Sequence, residues 1–566
     1  MSLAMNILLL AVRLGGYLSF NRARRSVQKT QEKLLNRIIL KNKESRFGRE
    51  HDFSSIESVS SYRSKVPVST FDSYLADVDS ILNGEKNVLT KEPVLFLQPS
   101  SGSTAESKYI PFTKSLKNEF LRGIRPWFFD LFVKRRRLLG GKAYWSISPA
   151  GSKLKKAGVK PAIGFDDSEY FSLAEKTLLK LLSAVPLEIQ EVQDFRDFKY
   201  VSLLFLLKEK SLTFISVWNP TFLTILLEDL LSWSDNLVSD IGDGRITGTL
   251  NIDEDLKKKL TRHLKKDAKR AEELRGIFRQ AKGPSISGGK ALHGRIWPHL
   301  AVISCWADGN ASRHIKEIKE IFPNVEIQPK GLLATEAFVS FPVVGDEGSA
   351  LAVNSHFFEF IEIEKEGGTT GGDTKLAHEL EAKRSYSPVI TTGGGLYRYH
   401  LQDIIEVLKV KNGLAFIRFI GKSDNVSDLM GEKLNALHVE SVLAEVIGEH
   451  DLEPEFFMMA PEKDERGRYY YTFFIKSPEK SDECLLAAAG EIEKKLSGNF
   501  HYGYSRKLDQ LGRVRIFVIE EDSASSRDKY LMRQVREGRK AGDIKPMILE
   551  RSTGWSEVFK GRFIGV

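Results

Sequence analysis

Residues 94–111 read Val-Leu-Phe-Leu-Gln-Pro-Ser-Ser-Gly-Ser-Thr-Ala-Glu-Ser-Lys-Tyr-Ile-Pro, an apolar run followed by a loop of small polar residues. The run predicts a strand, and the loop after it can present backbone N–H groups and hydroxyls to a polyphosphate. Gly102 permits a close approach of the backbone, and Lys108 supplies positive charge. The candidate phosphate ligands are Ser100, Ser101, Gly102, Ser103, Thr104 and Lys108. Taken alone, a Ser-rich turn is usually only a turn.

The composition is that of a multidomain, enzyme-sized protein. A chain of 566 residues exceeds what one hydrophobic core normally organises, and an apolar fraction of 42% provides for a sizeable core. The net charge of +9 is small for this length, and the basic stretch 256–280 has acidic neighbours and no aromatic residue before Phe278. An anionic small substrate accounts for the charge, and we expect no nucleic acid partner. The chain also lacks both GxxxxGK[ST] and GxGxxG.

Cysteine usage indicates the compartment. Cys305 and Cys484 are the only cysteines, they are far apart, and neither belongs to a CxxC pair. We therefore expect no disulfide framework, no structural zinc site and a reducing, cytoplasmic setting.

The N-terminal run 5–12 is apolar but is interrupted from Arg13 onwards by a charge and two glycines. It falls short of the roughly 20 apolar residues that span a membrane. The run predicts a helix packed on the domain and no membrane span, with a helix on the membrane surface as the alternative.

The order of the patterns indicates an α/β protein with two domains. Between residues 200 and 231 three apolar runs, split by Asn219-Pro220, have the character of core elements of a mixed α/β domain. Past Gly421 the composition shifts towards Asp, Lys, Gly and Asn. We therefore expect a large N-terminal domain with mixed sheets, 1–420, and a smaller, mobile α+β C-terminal domain, 425–566.

A polar pair lies inside the apolar stretch Leu332-Leu-Ala-Thr-Glu-Ala-Phe-Val339. There Thr335 sets a hydroxyl beside the carboxylate of Glu336. A carboxylate in such a stretch is costly unless it is paired or binds a metal, and Mg²⁺ held by one carboxylate plus substrate phosphates is the usual arrangement for nucleotides. A Glu at a strand end that reaches solvent explains the pair equally well.

Two further segments carry charged residues in a suggestive setting. In Thr391-Thr-Gly-Gly-Gly-Leu-Tyr-Arg-Tyr-His-Leu-Gln-Asp403 the carboxylate of Asp403 can accept hydrogen bonds from both hydroxyls of a ribose. A salt bridge between Asp403 and Arg398 is equally plausible. The segment Phe419-Ile-Gly-Lys-Ser-Asp-Asn-Val-Ser-Asp-Leu-Met-Gly-Glu-Lys-Leu434 lies on the expected boundary and alone would be a polar linker.

In order and spacing, the four segments resemble the superfamily of adenylating enzymes that includes acyl-CoA synthetases and firefly luciferase. That superfamily has a phosphate loop, a Thr-Glu pair, a ribose-binding Asp and a Gly-Arg-x-Asp hinge followed by a Gly. The corresponding residues here are Ser100 to Thr104, Thr335-Glu336, Asp403, and Gly421-Lys422-Ser423-Asp424 with Gly431.

Within that superfamily, the chain most resembles the auxin-responsive Gretchen Hagen acyl acid amido synthetases of plants and their bacterial relatives, from about residue 60 to the C-terminus. The shared segments are Val66-Pro-Val-Ser-Thr-Phe-Asp-Ser-Tyr74, Ile81-Leu-Asn-Gly84, the loop, Phe358-Glu-Phe-Ile361 and Tyr397-Arg-Tyr399. Four positions depart from the pattern: Ser103-Thr104 are exchanged, Glu106 replaces a glycine and adds negative charge, and Lys422 stands where the superfamily has Arg.

The resemblance implies an enzyme that uses ATP and Mg²⁺, with Glu336 as a ligand of the metal. A carboxylic acid is adenylated with release of pyrophosphate, and an amine, expected to be an amino acid, then displaces AMP. The stretch Gly538-Arg-Lys-Ala-Gly-Asp-Ile-Lys-Pro-Met547 resembles the one that carries the catalytic lysine, which nominates Lys545, although Lys540 lies near enough to be confused with it. Asp424 would be the hinge.

An apolar pocket is expected for the acyl group. Its candidate residues are Trp218, Phe222, Phe338 and Phe341, with ordinary core packing as the alternative for each. Two other functions remain open: an acyl-CoA or other thioester-forming ligase, and a non-catalytic nucleotide-binding protein if Glu106 excludes ATP. The patterns give no indication of the oligomeric state.

Overall fold

The computed structural model describes residues 2–100, 108–145, 162–163, 173–247, 250–281, 292–363, 374–422, 426–478, 480–537, 539, 544 and 547–565. The helices are α1 (Ser2–Ala23), α2 (Val27–Asn42), α3 (Arg46–Glu50), α4 (Val59–Lys65), α5 (Leu75–Leu82), α6 (Lys114–Lys134), α7 (Leu173–Leu182), α8 (Phe195–Lys208), α9 (Pro220–Glu228), α10 (Ser234–Asp243), α11 (Glu254–His263), α12 (Ala268–Arg279), α13 (Leu292–Ile296), α14 (Ile315–Ile321), α15 (Ala436–Glu449), α16 (Asp482–Ser497), α17 (Phe500–Lys507) and α18 (Ser523–Arg536).

The strands are β1 (Phe96–Ser100), β2 (Lys108–Phe112), β3 (Lys142–Trp145), β4 (Ala162–Ile163), β5 (Leu212–Ser216), β6 (Val302–Cys305), β7 (Glu326–Pro329), β8 (Ser340–Pro342), β9 (Ser349–Leu351), β10 (Phe357–Ile363), β11 (Lys375–Leu376), β12 (Ser385–Thr391), β13 (Tyr399–His400), β14 (Asp403–Lys411), β15 (Leu414–Lys422), β16 (Val426–Ser427), β17 (Leu434–Asn435), β18 (Phe456–Lys463), β19 (Tyr469–Lys476), β20 (Arg515–Ile519) and β21 (Gly561–Phe563).

The chain divides into two compact units, Met1–Ile420 and Gly421–Val566. Strands of the larger unit form a sheet of order β2-β1-β4, a sheet of order β3-β5-β6-β7, and a sheet of order β11-β10-β12-β14-β15-β9-β8 with β13 paired to β12. Each of the two units contains both helices and β-strands. The predicted α/β class is confirmed.

The sheet β3-β5-β6-β7 is parallel throughout. Its strand β5 is buried at every residue, as expected for a parallel strand covered on both faces. The apolar runs predicted between residues 200 and 231 are α8, β5 and α9. The breaker begins α9: the side chain of Asn219 accepts a hydrogen bond from the N–H of Thr221 at 3.0 Å, and Pro220 occupies the first turn.

Helix α6 packs in the core beside the large, mainly antiparallel sheet. Thr113 caps its N-terminus by accepting from the N–H of Leu116 at 3.2 Å. Gly123 lies against the ring of Phe338, where a Cβ would come within 2.1 Å of a ring carbon. Phe338 and Phe341 are buried in this core and pack with their ring centroids 6.2 Å apart.

The predicted N-terminal helix is present and is longer than the apolar run 5–12. Arg13 and the two glycines do not interrupt it, and α1 runs unbroken for 22 residues. Arg13 is accommodated because its guanidinium lies 4.7 Å from the ring centroid of Phe128 on the buried side, and Gly16 allows close approach to Arg125. By length and composition alone α1 could cross a membrane. Only 22% of its most apolar stretch is buried against the rest of the protein.

The smaller unit is an α+β unit built on the sheet β18-β19-β20-β21. Strands β18 and β19 are antiparallel, β19 and β20 are parallel, and β20 and β21 are antiparallel. Helices α15 and α16 supply apolar residues to its core, among them Val439, Leu443 and Ile492.

Candidate functional site

The candidate phosphate loop joins two antiparallel strands. In the β1–β2 hairpin Ser100 lies opposite Lys108 at the open end, and Phe96 lies opposite Phe112 at the other. The hairpin therefore holds Lys108 at the base of the loop, next to the last described residue before it. Ser101, Gly102, Ser103 and Thr104 lie outside the described residues, as does Glu106.

The Thr335-Glu336 pair occupies a tight turn. The N–H of Ala334 donates to the carbonyl of Ala337 at 3.0 Å, and an antiparallel bridge joins Leu333 to Phe338. The side chains of Thr335 and Glu336 are half-buried at the tip. A hydroxyl and a carboxylate are thus presented side by side from a fixed backbone.

The glycine turn of residues 393–395 packs on the junction between β2 and α6. Its carbonyl at Gly393 accepts from the hydroxyl of Thr113 at 2.8 Å. A Cβ at Gly393 would come within 2.6 Å of Ser115, and one at Gly394 within 2.8 Å of the carbonyl of Pro111. Glycine is required at both positions because the backbones approach too closely for a side chain.

A buried carboxylate–imidazole pair links the glycine turn to the Thr-Glu turn. Glu119 of α6 accepts the N–H of Gly393 at 2.9 Å and lies 3.0 Å from Nδ1 of His356. On its other side, Nε2 of His356 accepts the N–H of Phe338 at 3.0 Å. Glu119 and His356 are buried. This hydrogen-bond chain, Gly393–Glu119–His356–Phe338, therefore fixes four sequence segments relative to one another. Neither Glu119 nor His356 belongs to a motif recognised in the sequence.

Asp403 begins β14 and is buried. Its carbonyl accepts from the hydroxyl of Ser387 at 2.8 Å, and the same hydroxyl lies 2.7 Å from Nε2 of His400. The residue before it, Gln402, has a φ of 62°, and Arg398 has a φ of 47°. Two residues in the left-handed region on either side of β13 indicate a backbone held under constraint.

Arg398 pairs with Glu359 of β10. Nε of Arg398 lies 2.9 Å from Oε2 and Nη2 lies 3.1 Å from Oε1, while Nη1 donates to the carbonyl of Val66 at 2.9 Å. Nearby, Tyr74 donates to the carbonyl of Tyr397 at 2.7 Å, and burial raises the pKa of Tyr74 to about 12. These contacts hold the Tyr-Arg-Tyr segment in place before Asp403.

Lysine and tryptophan side chains gather at the carboxyl ends of the parallel strands. Lys330, directly after β7, is buried and donates to the hydroxyl of Ser216 at 2.6 Å. Its Nζ lies 5.0 Å from the ring centroid of Trp218 and 5.3 Å from that of Trp127, within cation–π range. Trp306, after β6, lies 5.7 Å from Trp218 between ring centroids. Ligands of α/β proteins bind at this end of a parallel sheet.

The four acyl candidates from the sequence therefore occupy different settings. Phe222, Phe338 and Phe341 are buried in the hydrophobic cores of the larger unit. Trp218 is half-buried at the carboxyl edge of the parallel sheet. Lys330 is a candidate that no sequence pattern indicated.

Two protein-family domains match this chain. The GH3 family N-terminal domain matches residues 17–327, and the GH3 family central domain matches residues 349–422. The first of these ranges alone is more than half of the chain. The chain belongs to the GH3 family. The Thr335-Glu336 turn falls between the two matched ranges of this GH3 chain, and Lys545 falls beyond both.

Relatives are similar over most of this GH3 chain. Jasmonoyl-L-amino acid synthetase GH3.5 of Oryza sativa subsp. japonica is 23% identical over 529 residues, covering 89% of each chain. Indole-3-acetic acid-amido synthetase GH3.4 of Arabidopsis thaliana is 22% identical, covering 88% of this chain and 85% of the relative. The solved structure of the GH3.15 acyl acid amido synthetase has the same fold, with a TM-score of 0.76 at 18% identity over 95% of this chain and 94% of its own.

The smaller unit of this GH3 chain contains the remaining predicted site residues. Lys545 and Asp424 lie outside the described residues, and Lys422 is exposed at the end of β15. Two described residues lie close to Lys545 in sequence: Ile544 is buried, and the N–H of Met547 donates to the hydroxyl of Tyr530 at 3.1 Å.

The described residues offer few groups for metal or thiol chemistry. Among the described residues, no group of three or more His, Cys, Asp or Glu side chains is arranged to hold a metal ion. The single half-buried carboxylate of Glu336 fits a Mg²⁺ that arrives with a nucleotide, because such an ion keeps most of its ligands as phosphates and water. Burial raises the pKa of Cys305 to about 12, so its thiol is unsuited to act as a nucleophile.

Proposed function

We propose that this GH3 chain is an ATP-dependent acyl acid amido synthetase. The carboxylate of an acyl acid attacks the α-phosphorus of ATP, and the bond from that phosphorus to the bridging oxygen breaks to release pyrophosphate. An amine, proposed to be that of an amino acid, then attacks the acyl carbon of the adenylate and expels AMP. No side-chain nucleophile is needed, in keeping with the buried thiol of Cys305.

The hydrogen-bond chain Gly393–Glu119–His356–Phe338 carries this proposal. It ties the glycine turn before Asp403 to the turn that presents Thr335 and Glu336, and the glycine turn in turn contacts the end of the β1–β2 hairpin through Thr113. Three segments far apart in sequence are thus fixed together. Catalysis of phosphoryl and nucleotidyl transfer depends mainly on such positioning.

Each segment has a proposed role towards ATP. Residues Ser100 to Thr104 and Lys108 bind phosphates, Asp403 binds the ribose hydroxyls, and Lys422 adds a positive charge. Mg²⁺, held by Glu336 and phosphate oxygens, would neutralise charge on the phosphates. Lys545 would stabilise the negative charge that develops between the acyl carboxylate and the α-phosphate. Rotation about Asp424, bringing Lys545 in and out, stays a prediction.

The acyl acid is proposed to bind at the carboxyl edge of the parallel sheet. Trp218 and Trp306 offer aromatic surface there, and the buried ammonium of Lys330 favours an anion. A flat, apolar acid would gain contact area from the indoles. This arrangement supports an aromatic or otherwise hydrophobic carboxylic acid as the substrate.

The amine as second substrate rests on the names of the relatives, a jasmonoyl-L-amino acid synthetase and an indole-3-acetic acid-amido synthetase. The cytoplasmic setting is likewise proposed, from two cysteines that are both unpaired.

The experiment is a two-step assay of the purified full chain. The chain is incubated with Mg-ATP and pools of carboxylic acids while pyrophosphate release is measured, and amino acids or CoA are then added and products identified by mass spectrometry. Glu336→Gln should slow pyrophosphate release, whereas Glu347→Gln, an exposed carboxylate elsewhere in the same unit, should not.

The outcomes separate the alternatives. Pyrophosphate release that no acid stimulates would remove the adenylation proposal. Acid-stimulated release followed by a CoA thioester would identify a thioester-forming ligase, and ATP binding without turnover would identify a non-catalytic nucleotide-binding protein.

A further inference from the structure

The outer face of α1 is apolar. Six large side chains on it are 40–54% exposed: Leu3, Ile7, Leu8, Val12, Leu14 and Leu18. Between Ser2 and Asn21 the only charged residue is Arg13, whose side chain is buried on the other face. The outer face therefore carries no charge over about five helical turns. A helix that faces water normally carries polar or charged residues there.

The inner face of α1 is fixed to the body of the protein. The side chain of Asn6 donates to the carbonyls of Leu139 and Gly141 at 3.0 and 3.1 Å. The ring of Tyr17 stacks on that of Phe129 with centroids 4.6 Å apart, and the ring of Phe20 packs edge-on against that of Phe341. A helix held in this way lies on the surface of the unit. Drawing it into a bilayer as a span would break these contacts and carry Arg13 into the hydrocarbon.

Positive charge lies at both ends of the apolar face. Four basic residues follow it directly, Arg22, Arg24, Arg25 and Lys29, and residues 2–31 contain no Asp or Glu. At the other end, the contacts of Asn6 place the start of α1 beside the turn Arg136–Gly140, in which Arg136 and Arg137 are exposed. The apolar face with its basic ends is therefore complementary to a partner that has an apolar interior beneath an anionic outer layer.

We propose that the outer face of α1 docks on an anionic lipid bilayer, with the helix lying in the plane of the membrane. The stripe from Leu3 to Leu18 is about 22 Å long at 1.5 Å per residue. Its leucine and isoleucine side chains enter the region between the headgroups and the acyl chains, and the flanking arginines contact lipid phosphates. This inference is independent of the adenylation proposal.

A second copy of the chain fits the same face less well. Pairing two such faces antiparallel sets Arg22 and Arg25 of one copy near Arg136 and Arg137 of the other, and parallel pairing sets like residues together. Either arrangement opposes cation to cation, with no acidic residue in 2–31 to compensate.

The test is flotation of the full chain with lipid vesicles. Vesicles of phosphatidylcholine alone are compared with vesicles that also contain phosphatidylglycerol, at low and high salt. The wild-type chain should float with the anionic vesicles, less with the neutral ones, and less at high salt. A triple variant Leu3→Gln, Ile7→Gln, Leu18→Gln should bind at least about tenfold more weakly. The matched control is Leu40→Gln, Leu75→Gln, Leu95→Gln, three leucines exposed elsewhere in the same unit.

A charge variant tests the second half of the proposal. Arg22→Gln with Arg25→Gln should weaken binding to anionic vesicles by about fivefold per residue, whereas Lys258→Gln with Arg262→Gln, on the basic helix α11, should not. Circular dichroism of each variant checks that the fold is retained, since all the altered side chains are exposed.

Failure of the wild-type chain to float with anionic vesicles would overturn the proposal, as would wild-type binding by the triple variant. A wild-type dimer in sedimentation velocity that the triple variant turns into a monomer, without vesicle binding, would assign the face to self-association.

Discussion

The guanidinium of Arg398 contacts both carboxylate oxygens of Glu359, at 2.9 and 3.1 Å, and both side chains are buried. Arg63 adds a third contact, with its Nε 2.9 Å from Oε1 of Glu359. Glu359 belongs to the segment Phe358-Glu-Phe-Ile361 and Arg398 to Tyr397-Arg-Tyr399, two of the segments that carried the family resemblance. Each of these two segments therefore supplies one side chain of a buried ion pair. The pair holds the backbone of the Tyr-Arg-Tyr segment in place before Asp403.

Removing this pair's cation should destabilise the larger unit. Arg398→Met leaves the buried carboxylate of Glu359 with Arg63 and the hydroxyl of Thr374 as partners, and breaking a buried pair typically costs about 3 kcal/mol or more. The midpoint of guanidinium unfolding measures the change. Arg562→Met, which removes the exposed contact between Arg562 and Asp482, should shift the midpoint little. Equal shifts for the two variants would contradict the assignment.

Glu119 is expected to act as a positioning residue. Glu119→Ala leaves the buried N–H of Gly393 and the ring of His356 without their acceptor, at a cost of about 1–3 kcal/mol. Because the glycine turn and the Thr-Glu turn then lose their link, ATP–pyrophosphate exchange should fall more than stability alone explains. Glu119→Gln keeps an acceptor oxygen and should restore most of the exchange rate. A Gln variant as impaired as the Ala variant would argue against positioning through this oxygen.

Lys545 is expected to be the catalytic lysine of the first half-reaction. Lys545→Ala should lower ATP–pyrophosphate exchange by about 10² to 10³, the usual loss for one charge contact in a transition state. Reaction of a chemically prepared acyl-adenylate with an amino acid should be much less affected. Lys540→Ala is the control. If it is the Lys540 variant that loses exchange, the role belongs to Lys540.

Lys330 is expected to bind the acyl acid. Lys330→Met should raise the KM for the acid by about tenfold or more, with a smaller change in the KM for ATP, because a buried cation then no longer attracts the anion. Lys199→Met is a matched control: Lys199 is also buried, lies 5.8 Å from the ring centroid of Trp233 and pairs with Asp229 at 2.6 Å. An unchanged KM for the acid in the Lys330 variant would place the acyl site elsewhere.

His293 should make the larger unit sensitive to acid. Burial lowers the pKa of His293 to about 4, from an ordinary value of 6.5, and neither ring nitrogen has a hydrogen-bond partner among the described residues. Between those two pH values the unfolded chain binds the proton and the folded chain does not, so stability falls as pH falls, by about 3 kcal/mol in all. Unfolding midpoints from pH 4 to 7 should vary less in His293→Leu than in wild type. The exposed His501→Leu should leave the profile unchanged, and an equally steep profile in His293→Leu would contradict the prediction.

Local sequence patterns were sufficient to predict those elements whose ends are set by residues adjacent in the sequence. Asn219-Pro220 begins α9 because the side chain of Asn219 satisfies an N–H of the first turn and proline lacks one. The apolar run 5–12 likewise predicted a helix, and α1 is that helix. It also includes Arg13 and the glycines that end the apolar run, because contacts with Phe128 and Arg125 accommodate them.

The side chains that join the site could not be found in this way. Glu119 and His356 are 237 residues apart, and Glu119 and Gly393 are 274 apart. Glu119 falls in an ordinary amphipathic helix, and nothing in its sequence neighbours indicates its partners. Lys330 likewise becomes distinctive only when three separate strands bring Trp218, Trp306 and Ser216 to one edge of a sheet.

The sequence by itself determined the α/β class, the serine- and threonine-rich stretch at residues 100–104, and the order of Thr335-Glu336 and Asp403 behind it, because these follow from residue type and spacing. Only the tertiary structure decided which segments meet: Arg398 with Glu359, and Gly393 with Glu119 and His356. The physical reason is that a buried charge or N–H must find a partner when it leaves water, and chain folding, not sequence distance, decides which partner lies within reach.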